Sequence, residues 1–400
     1  GTMRVLVLCA FSALCVASRK YGDIKLTPEQ KAYLFGNPTA MKRQAISPTF
    51  FRNPWSTVYY SFAANVSEHS RLGMRVAAQH WQERTCVEFV ESDTKTPRIE
   101  IINGDGCWSS VGRITETTQQ LSLEYGCGLV ATVLHELGHA LGLWHIFSRT
   151  DRDEYVTYIE DSVSPKFRYA FDKKTTYTND NFGMPYDYGS IMQYPPTDFS
   201  YDGETMVLIP KIPIYKRTMG SSQLSFYDVS MINELYKCKA RCAASSSAKC
   251  ENGGYPHPRD CTKCICPGGF GGITCNQRPD GCGATLMATE KSQNFTFSIG
   301  DPKNKTNADF PTFCNYHIEA PRDRRIEAKI LKIYVLMPDP GCTQGGIELK
   351  FMADLRLTGA RFCVREEDVG ITVTSAGNLM PIIGYVNYRD VSFTVQYRLV

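Results

Sequence analysis

The segment from His135 to His145, HELGHALGLWH, restricts the fold of this chain more than any other stretch of its sequence. On a helix, His135 and His139 are one turn apart and project from the same face, so both imidazoles can reach one metal ion. Gly142 can adopt the left-handed conformation that ends a helix, which lets His145 approach the same ion. Three neutral nitrogens leave a fourth coordination position open, which is typical of a catalytic zinc site.

Glu136 follows the first of these histidines and is the candidate general base. Its carboxylate can accept a proton from the water that attacks a peptide carbonyl and then pass that proton to the leaving amine. The pattern predicts a zinc peptidase with one catalytic Zn²⁺ ion, because chance rarely places five such residues at this spacing on an amphipathic helix. The other histidines have no ligand spacing and are expected to be structural: His69, His80, His257 and His317.

Residues 5–17, VLVLCAFSALCVA, form an apolar run that follows Arg4 and ends near Ala17 and Ser18. This pattern predicts a secretory signal peptide over residues 1–18. A membrane anchor is the alternative, but the run is shorter than the ~20 residues that a spanning helix needs. We therefore expect a secreted, extracellular protein with no membrane span.

The chain has 16 cysteines, of which Cys9 and Cys15 lie in this apolar run. The other 14 form an even set in a chain expected in an oxidising compartment, so seven disulfides are expected. Structural zinc held by cysteines would need paired CxxC units, and only Cys261 and Cys264 have that spacing.

The sequence pattern changes along the chain and predicts five segments. After the signal peptide, residues 19–43 are polar and end in Lys42-Arg43, which predicts a propeptide cut by an activating protease. Within it, Thr27 to Gln30 has the pattern of a helix capping box. Residues 44–238 mix helix and strand patterns, residues 239–276 hold six cysteines in too short a length for a hydrophobic core, and residues 282–398 alternate like an all-β sandwich.

Charge argues against a nucleic-acid partner. The chain has a net charge of +3, and its first 43 residues hold seven Lys or Arg against Asp23 and Glu29. Their removal leaves a net charge of −2, without the basic surface that nucleic-acid binding needs.

The motif HExxHxxGxxH is shared by the metzincin proteases, in which a methionine turn follows. Ser190 to Tyr194, SIMQY, resembles that turn, and a tyrosine two residues after the methionine is typical chiefly of the astacins. Further stretches resemble astacins: WQERTCVEF at Trp81, GCWS at Gly106, SRTDRDEYV at Ser148 and SFYDVSMINELYKC at Ser225.

The resemblance implies an α+β metzincin catalytic domain with zinc in the cleft between two subdomains. It also implies that Met192 forms an apolar floor under the metal. By the same resemblance Tyr194 is catalytic, since the family's tyrosine binds zinc in the resting enzyme and then stabilises the oxyanion.

The last two segments also resemble known modules. CENGGY at Cys250 and CTKCICPGGFGGITC at Cys261 resemble an EGF-like module, and CGATL at Cys282 with LTGARFC at Leu357 resembles a CUB domain. These resemblances imply seven disulfides: Cys86 with Cys238, Cys107 with Cys127, Cys242 with Cys261, Cys250 with Cys264, Cys266 with Cys275, Cys282 with Cys314, and Cys342 with Cys363.

Astacin propeptides contain an FxGD segment whose aspartate takes the water position on zinc. Here the segment is Lys20-Tyr21-Gly22-Asp23, which departs from the family at Lys20 but keeps a carboxylate at Asp23. The resemblance implies a zymogen silenced by Asp23; a plain turn residue before Thr27 is the alternative. Ile146 follows the third histidine where astacins usually have a glutamate that meets the new amino terminus. We therefore expect the terminus created near Gln44 to stay solvated or to find another acceptor.

These features predict a secreted zinc endopeptidase that hydrolyses extracellular proteins, matrix proteins among them. An inactive binding protein that acts through its EGF-like and CUB modules is the rival, but it would need a damaged site. A zincin with two histidines and a distant glutamate is disfavoured by Gly142 and His145. Three sequons predict glycosylation, at Asn65, Asn294 and Asn304.

Overall fold

A computed structural model describes residues 22–28, 30–31, 45–46, 54–175, 178–304, 306 and 308–400. The signal peptide expected over residues 1–18 and the Lys42-Arg43 site lie outside the described residues. The chain divides into two compact units. The first takes residues up to 186 together with 196–211 and 229–238, and the second takes residues 187–195, 212–228 and 239–400.

The first unit contains a five-stranded sheet and helices, which agrees with the mixed helix and strand patterns of its sequence. The strands of this unit, in the sheet and outside it, are β1 (Ala45–Ile46), β2 (Thr57–Phe62), β3 (Glu88–Glu91), β4 (Arg98–Ile102), β5 (Cys107–Trp108), β6 (Thr118–Leu123), β7 (Val156–Tyr158), β8 (Asn179–Asp180) and β9 (Leu208–Pro210). The sheet has the order β3-β2-β4-β6-β5 and is parallel except for the β5–β6 pair. Two short antiparallel pairs, β1 with β8 and β7 with β9, complete the strands of this unit.

Two helices pack in the first unit, α1 (Glu68–Arg84) and α2 (Val130–Leu141). The Ser67 side chain caps α1 by accepting the Ser70 N–H, which fixes the start of this helix at Glu68. Trp81 is fully buried and donates its Nε1–H to the Leu134 carbonyl, 3.1 Å away. This contact fixes α2 against α1, and the leucines of α2 lie in the core.

Short 3₁₀ turns connect several elements of the first unit and several of the second. They cover Ile146–Ser148, Arg152–Glu154, Glu160–Ser162, Pro165–Phe171, Pro213–Arg217, Cys238–Arg241 and Pro340–Cys342. A third helix, α3 (Phe226–Leu235), starts in the residues assigned to the second unit and ends in those assigned to the first. Among the described residues, no helix has both the length and the apolar character needed to cross a bilayer.

The second unit contains a small hairpin and a β-sandwich. The hairpin pairs β10 (Tyr255–His257) with β11 (Asp260–Ile265) in a segment stapled by three disulfides. The sandwich strands are β12 (Thr285–Met287), β13 (Gln293–Gly300), β14 (Thr312–Glu319), β15 (Ile326–Val335), β16 (Gly345–Leu349), β17 (Ala360–Phe362), β18 (Thr372–Thr374), β19 (Leu379–Val386) and β20 (Asp390–Leu399), with a short helix α4 (Arg365–Asp368).

The sandwich confirms the all-β prediction for this part of the chain. One sheet has the order β12-β14-β19-β16-β17 and the other β13-β20-β15-β18. Alternate residues of β20 are buried, as expected of a strand with one face toward a core: Val391, Phe393, Val395 and Tyr397. The seven disulfides of the structure are the pairs that the family resemblance implies.

Candidate functional site

Three histidines converge where α2 ends. His135 and His139 project from one face of the helix, with their ring centroids 4.7 Å apart. Gly142 has φ 114° and ψ 14°, and its N–H bonds to carbonyl groups of the last turn of the helix. This left-handed cap reverses the chain and brings His145 Nε2 to 3.2 Å from His139 Nε2. The structure thus brings together the three expected ligands of the first unit.

Contacts on the far side of the rings orient two of them. His139 Nδ1 lies 2.7 Å from the Leu143 carbonyl oxygen, which can only accept, so Nδ1 carries the proton and Nε2 keeps a lone pair. The His145 ring stacks on Phe147, with centroids 4.7 Å apart. Burial lowers the pKa of His139 and lowers the pKa of His145 to about 3. Both rings are therefore neutral at physiological pH, which is the form that binds a metal.

Asp23 faces these histidines from a distant part of the chain. Its Oδ2 atom lies 3.1 Å from His135 Nε2, 3.0 Å from His145 Nε2 and 3.9 Å from His139 Nε2. Backbone pairing holds it there, because the Ser109 N–H donates to the Asp23 carbonyl and the Lys25 N–H donates to the Ser109 carbonyl. The carboxylate is therefore placed by main-chain bonds on both sides of it.

A capping box anchors the chain that follows Asp23. The Gln30 N–H donates to Thr27 Oγ1 at 3.1 Å, and the Thr27 N–H donates to Gln30 Oε1 at 3.0 Å, as the sequence predicts. The Gln30 side-chain amide also donates to the Val111 carbonyl. One residue later, the Gly112 N–H donates to the His139 carbonyl. Residues 109–112 thus connect the Asp23 segment to α2, a connection that no motif in the sequence predicts.

The donor set fits a four-coordinate zinc ion. One donor atom from each of Asp23, His135, His139 and His145 lies within 4.8 Å of the others. Ligands about 2.0–2.1 Å from a tetrahedral zinc ion are separated by roughly 3.4 Å, close to the distances around Asp23 Oδ2. Three neutral nitrogens and one carboxylate oxygen are also ligand types that zinc prefers.

Glu136 lies beside these ligands and is almost fully buried. Burial first, and the neighbouring Asp23 carboxylate second, raise the pKa of Glu136 well above its usual range. Burial also acts to raise the pKa of Asp23, but the facing histidines, His145 foremost, hold that pKa well below its usual range. A raised pKa means that the Glu136 carboxylate binds a proton more strongly, as a general base that takes one from water must.

The matches to known proteins agree with this geometry. The family profile for astacin, a family of peptidases, matches residues 49–237. Zinc metalloproteinase nas-31 of Caenorhabditis elegans is 41% identical over 95% of this chain and 63% of its own length. Zinc metalloproteinase nas-25 of the same species is 34% identical over 90% of both chains. The chain belongs to the astacin family.

The chain spans less than two thirds of the length of nas-31. Among solved structures, high choriolytic enzyme 1, a hatching enzyme zinc-protease from Oryzias latipes, is 31% identical with a TM-score of 0.44. That match covers 50% of this chain and 99% of the other.

Residues 190–194, which are expected to form the methionine turn, lie in the second unit. Ser190 Oγ–H donates to Asp228 Oδ1 at 2.5 Å, the Ile191 N–H donates to Asp228 Oδ2 at 2.9 Å, and the Met192 N–H donates to Ser190 Oγ. Met192 and Tyr194 are both buried. Asp228 was not identified from the sequence, although it lies inside SFYDVSMINELYKC, one of the stretches that resemble astacins.

Three of the other histidines make contacts of their own, and the sequon asparagines lie on the surface. His317 Nε2 donates to the Gly269 carbonyl, His257 Nδ1 accepts the Arg259 N–H, and His80 contacts Arg84, in line with structural roles. The three sequon asparagines are exposed, which leaves room for glycans: Asn65, Asn294 and Asn304.

Proposed function

We propose that this astacin is a secreted zinc endopeptidase that hydrolyses peptide bonds of extracellular proteins and is made as a zymogen silenced by Asp23. The observation that carries the proposal is the convergence of the Asp23 carboxylate and three histidine nitrogens on one point. All four zinc ligands are present only while the propeptide, which carries Asp23, is in place. Removal of Asp23 would open the fourth position.

Each step of the proposed reaction depends on particular side chains. A bound zinc ion would polarise the scissile carbonyl and make water more acidic. His135, His139 and His145 would hold the ion, and Glu136 would take a proton from the attacking water and hand it to the leaving amine. Tyr194 would donate a hydrogen bond to the carbonyl oxygen as negative charge develops on it.

The contacts of the Asp23 segment support the zymogen. Ser109 pairs with the backbone on both sides of Asp23, and the Gln30 amide bonds to Val111. These bonds hold the carboxylate over the histidines without any help from substrate. Cleavage at Lys42-Arg43 would break the covalent link between this segment and the catalytic domain, so that only non-covalent contacts would hold it in place.

The chemistry of the whole chain supports secretion and a modular organisation. Fourteen cysteines form seven disulfides, which persist in an oxidising compartment. We propose a signal peptide at residues 1–18, a propeptide at 19–43, a catalytic domain at 44–238, an EGF-like module at 239–276 and a CUB domain at 282–398. Glycans on the exposed asparagines would be consistent with this compartment.

The test is to express the chain in a secretory host and compare the precursor with the form cut after Arg43. We expect one zinc ion per chain, casein cleavage only by the cut form, loss of cleavage on chelation and recovery on adding zinc. A cut chain that holds zinc but leaves casein and a peptide library intact would instead favour an inactive protein that binds through its EGF-like and CUB modules.

A further inference from the structure

A buried carboxylate in the second unit joins the methionine turn to the β-sandwich. Asp187 is 1% exposed, and its Oδ1 atom accepts the Gly189 N–H at 3.1 Å and the Thr358 N–H at 3.2 Å. Its Oδ2 atom accepts the Thr358 hydroxyl at 3.1 Å. Two of these three donors come from Thr358, which lies just before β17 of the sandwich.

The two segments are also in direct van der Waals contact. A Cβ atom built on Gly189 would lie 2.3 Å from Thr358 Cγ2, far closer than carbon atoms can approach. Only glycine therefore allows the turn to lie this close to Thr358. The hydrogen bonds and the packing act on the same few residues.

A second set of bonds connects the same part of the sandwich to residues 212–228. The Arg361 N–H donates to Thr218 Oγ1 at 2.9 Å, and the Arg361 guanidinium donates to Ser221 Oγ at 2.8 Å and to Glu348 Oε2 at 3.1 Å. Arg361 and Glu348 are both buried. Residues 187–195 and 212–228 both fall inside the stretch matched by the astacin profile. The sandwich thus bonds to two segments of the astacin-like part of this unit.

The methionine turn lies between two carboxylates. Asp228 holds Ser190 and Ile191, while Asp187 holds Gly189 at the start of the turn. Burial first, and the charge of Asp228 second, raise the pKa of Asp187 to about 6, whereas its bonds to Gly189 and Thr358 act in the opposite direction. A buried carboxylate that lost the Thr358 hydroxyl would be left short of a donor, and the chain around it would shift to recover one.

We propose that Thr358 is a positioning residue for the methionine turn, so that the sandwich shapes the catalytic site through Asp187. The inference rests on the proposed function, because it takes Tyr194, at the end of this turn, as catalytic. A displacement of about 1 Å in a reacting group can lower a rate by up to ~10²-fold. The turn need only move by a fraction of that distance for turnover to fall measurably.

The experiment compares three variants of the full chain, cut after Arg43. Thr358→Val removes the hydroxyl at nearly constant volume, and Thr358→Ser keeps the hydroxyl. Thr394→Val is the matched control, because the hydrogen bond of the Thr394 hydroxyl to Thr296 Oγ1, 2.9 Å away on the neighbouring strand, is exposed. Each variant is assayed for kcat and KM on a peptide substrate, for zinc content, and for hydrogen exchange of the amides in residues 187–195.

We expect Thr358→Val to lower kcat about tenfold with KM changed less than twofold. Thr358→Ser and Thr394→Val should stay within twofold of wild type in kcat, and zinc content should not change. Faster exchange at residues 187–195 should accompany the loss in Thr358→Val alone. A general loss of packing would instead change exchange across the sandwich and would also appear in Thr358→Ser.

Wild-type kcat in Thr358→Val, or equal losses in Thr358→Val and Thr358→Ser, would overturn the role of the hydroxyl. If the wild type itself proved inactive, the proposed function would fail while the exchange measurement would still decide the matter. Unchanged exchange at residues 187–195 in Thr358→Val would then overturn the proposal, and faster exchange there would support it.

Discussion

Two regions of the molecule bury carboxylates: the histidine site of the first unit, and the part of the second unit that contains Asp187 and Glu348. They differ in what faces those carboxylates. Asp23 faces ring nitrogens of three histidines, and burial lowers the pKa of both His139 and His145, which favours their neutral, metal-binding form. Asp187 faces N–H and O–H donors, and Glu348 faces the Arg361 guanidinium. The first arrangement needs a cation to be stable, whereas the second is complete within the protein. Burial of charge alone therefore does not indicate a binding site.

The largest expected effect is at Glu136, which lies in the first region. Glu136→Gln keeps the size of the side chain but cannot accept a proton, so kcat should fall by at least ~10²-fold for a lost general base. Zinc content should not change, because all three histidines remain. The measurement is casein and peptide hydrolysis by the form cut after Arg43, together with metal analysis.

Glu327→Gln is the matched control for this change. Glu327 bonds to Arg398 on the surface of the sandwich, so its loss should leave kcat within twofold of wild type. Wild-type turnover in Glu136→Gln would show that the base is another group and that the proposed mechanism is wrong.

The next effect concerns the completed ion pair in the second region. Arg361→Met should destabilise the sandwich by about 3 kcal/mol, because it leaves Glu348 as a buried carboxylate without its cation. Arg398→Met, which breaks a solvent-exposed pair with Glu327, should destabilise the sandwich far less. Native-state hydrogen exchange of β17 and β19 measures both, since a chain of two units need not unfold in one step.

Zinc content separates the two regions in the same experiment. It should be unchanged in Arg361→Met, because the metal ligands belong to the first unit. Equal destabilisation by both substitutions would mean that the buried Arg361–Glu348 pair contributes no more to stability than the exposed Arg398–Glu327 pair.

A smaller effect is expected at Asp23 in the uncut precursor. Asp23→Ala should raise casein hydrolysis by the precursor at least ~10-fold over the uncut wild type, because the fourth ligand position would be open. Gln30→Ala is a useful companion, since it removes the bond to Val111 but keeps the carboxylate. Equal silence in wild type and Asp23→Ala would mean that the propeptide inhibits by steric cover rather than as a metal ligand.

These two regions also differ in how far the sequence predicts them. His135 and His139 are four residues apart on one helix, and Thr27 and Gln30 form a local cap, so short-range geometry is enough. The start of α1 is harder to predict, because the residues between Glu68 and Arg75 have weak apolar periodicity and depend on the Ser67 cap.

Long-range contacts needed more than periodicity. The pairing of Asp23 with His135, 112 positions away, was expected only through the family resemblance. The bond from Thr358 to Asp187 spans 171 positions, and no local pattern predicts it, because a threonine or an aspartate in a loop has no periodicity of its own. The same holds for Ser109 and Val111, which anchor the propeptide by backbone atoms that any residue could supply.

The smallest expected effect concerns the amino terminus created by cleavage after Arg43. Ile146, where astacins usually have a glutamate, is buried and cannot accept hydrogen bonds from an ammonium group. Ala45 is fully buried as well, and it pairs with Asp180 of β8 and bridges to Leu143, so main-chain bonds hold this part of the chain. We therefore expect that Gly-Ser added before Gln44 changes kcat/KM by less than tenfold, or about 1.4 kcal/mol of transition-state stabilisation.

The measurement compares mature enzyme with and without the two added residues on one peptide substrate. A larger loss would show that a buried terminus matters despite Ile146. Asn179, buried on the strand that pairs with β1 and without a side-chain partner among the described residues, would then be the acceptor to mutate.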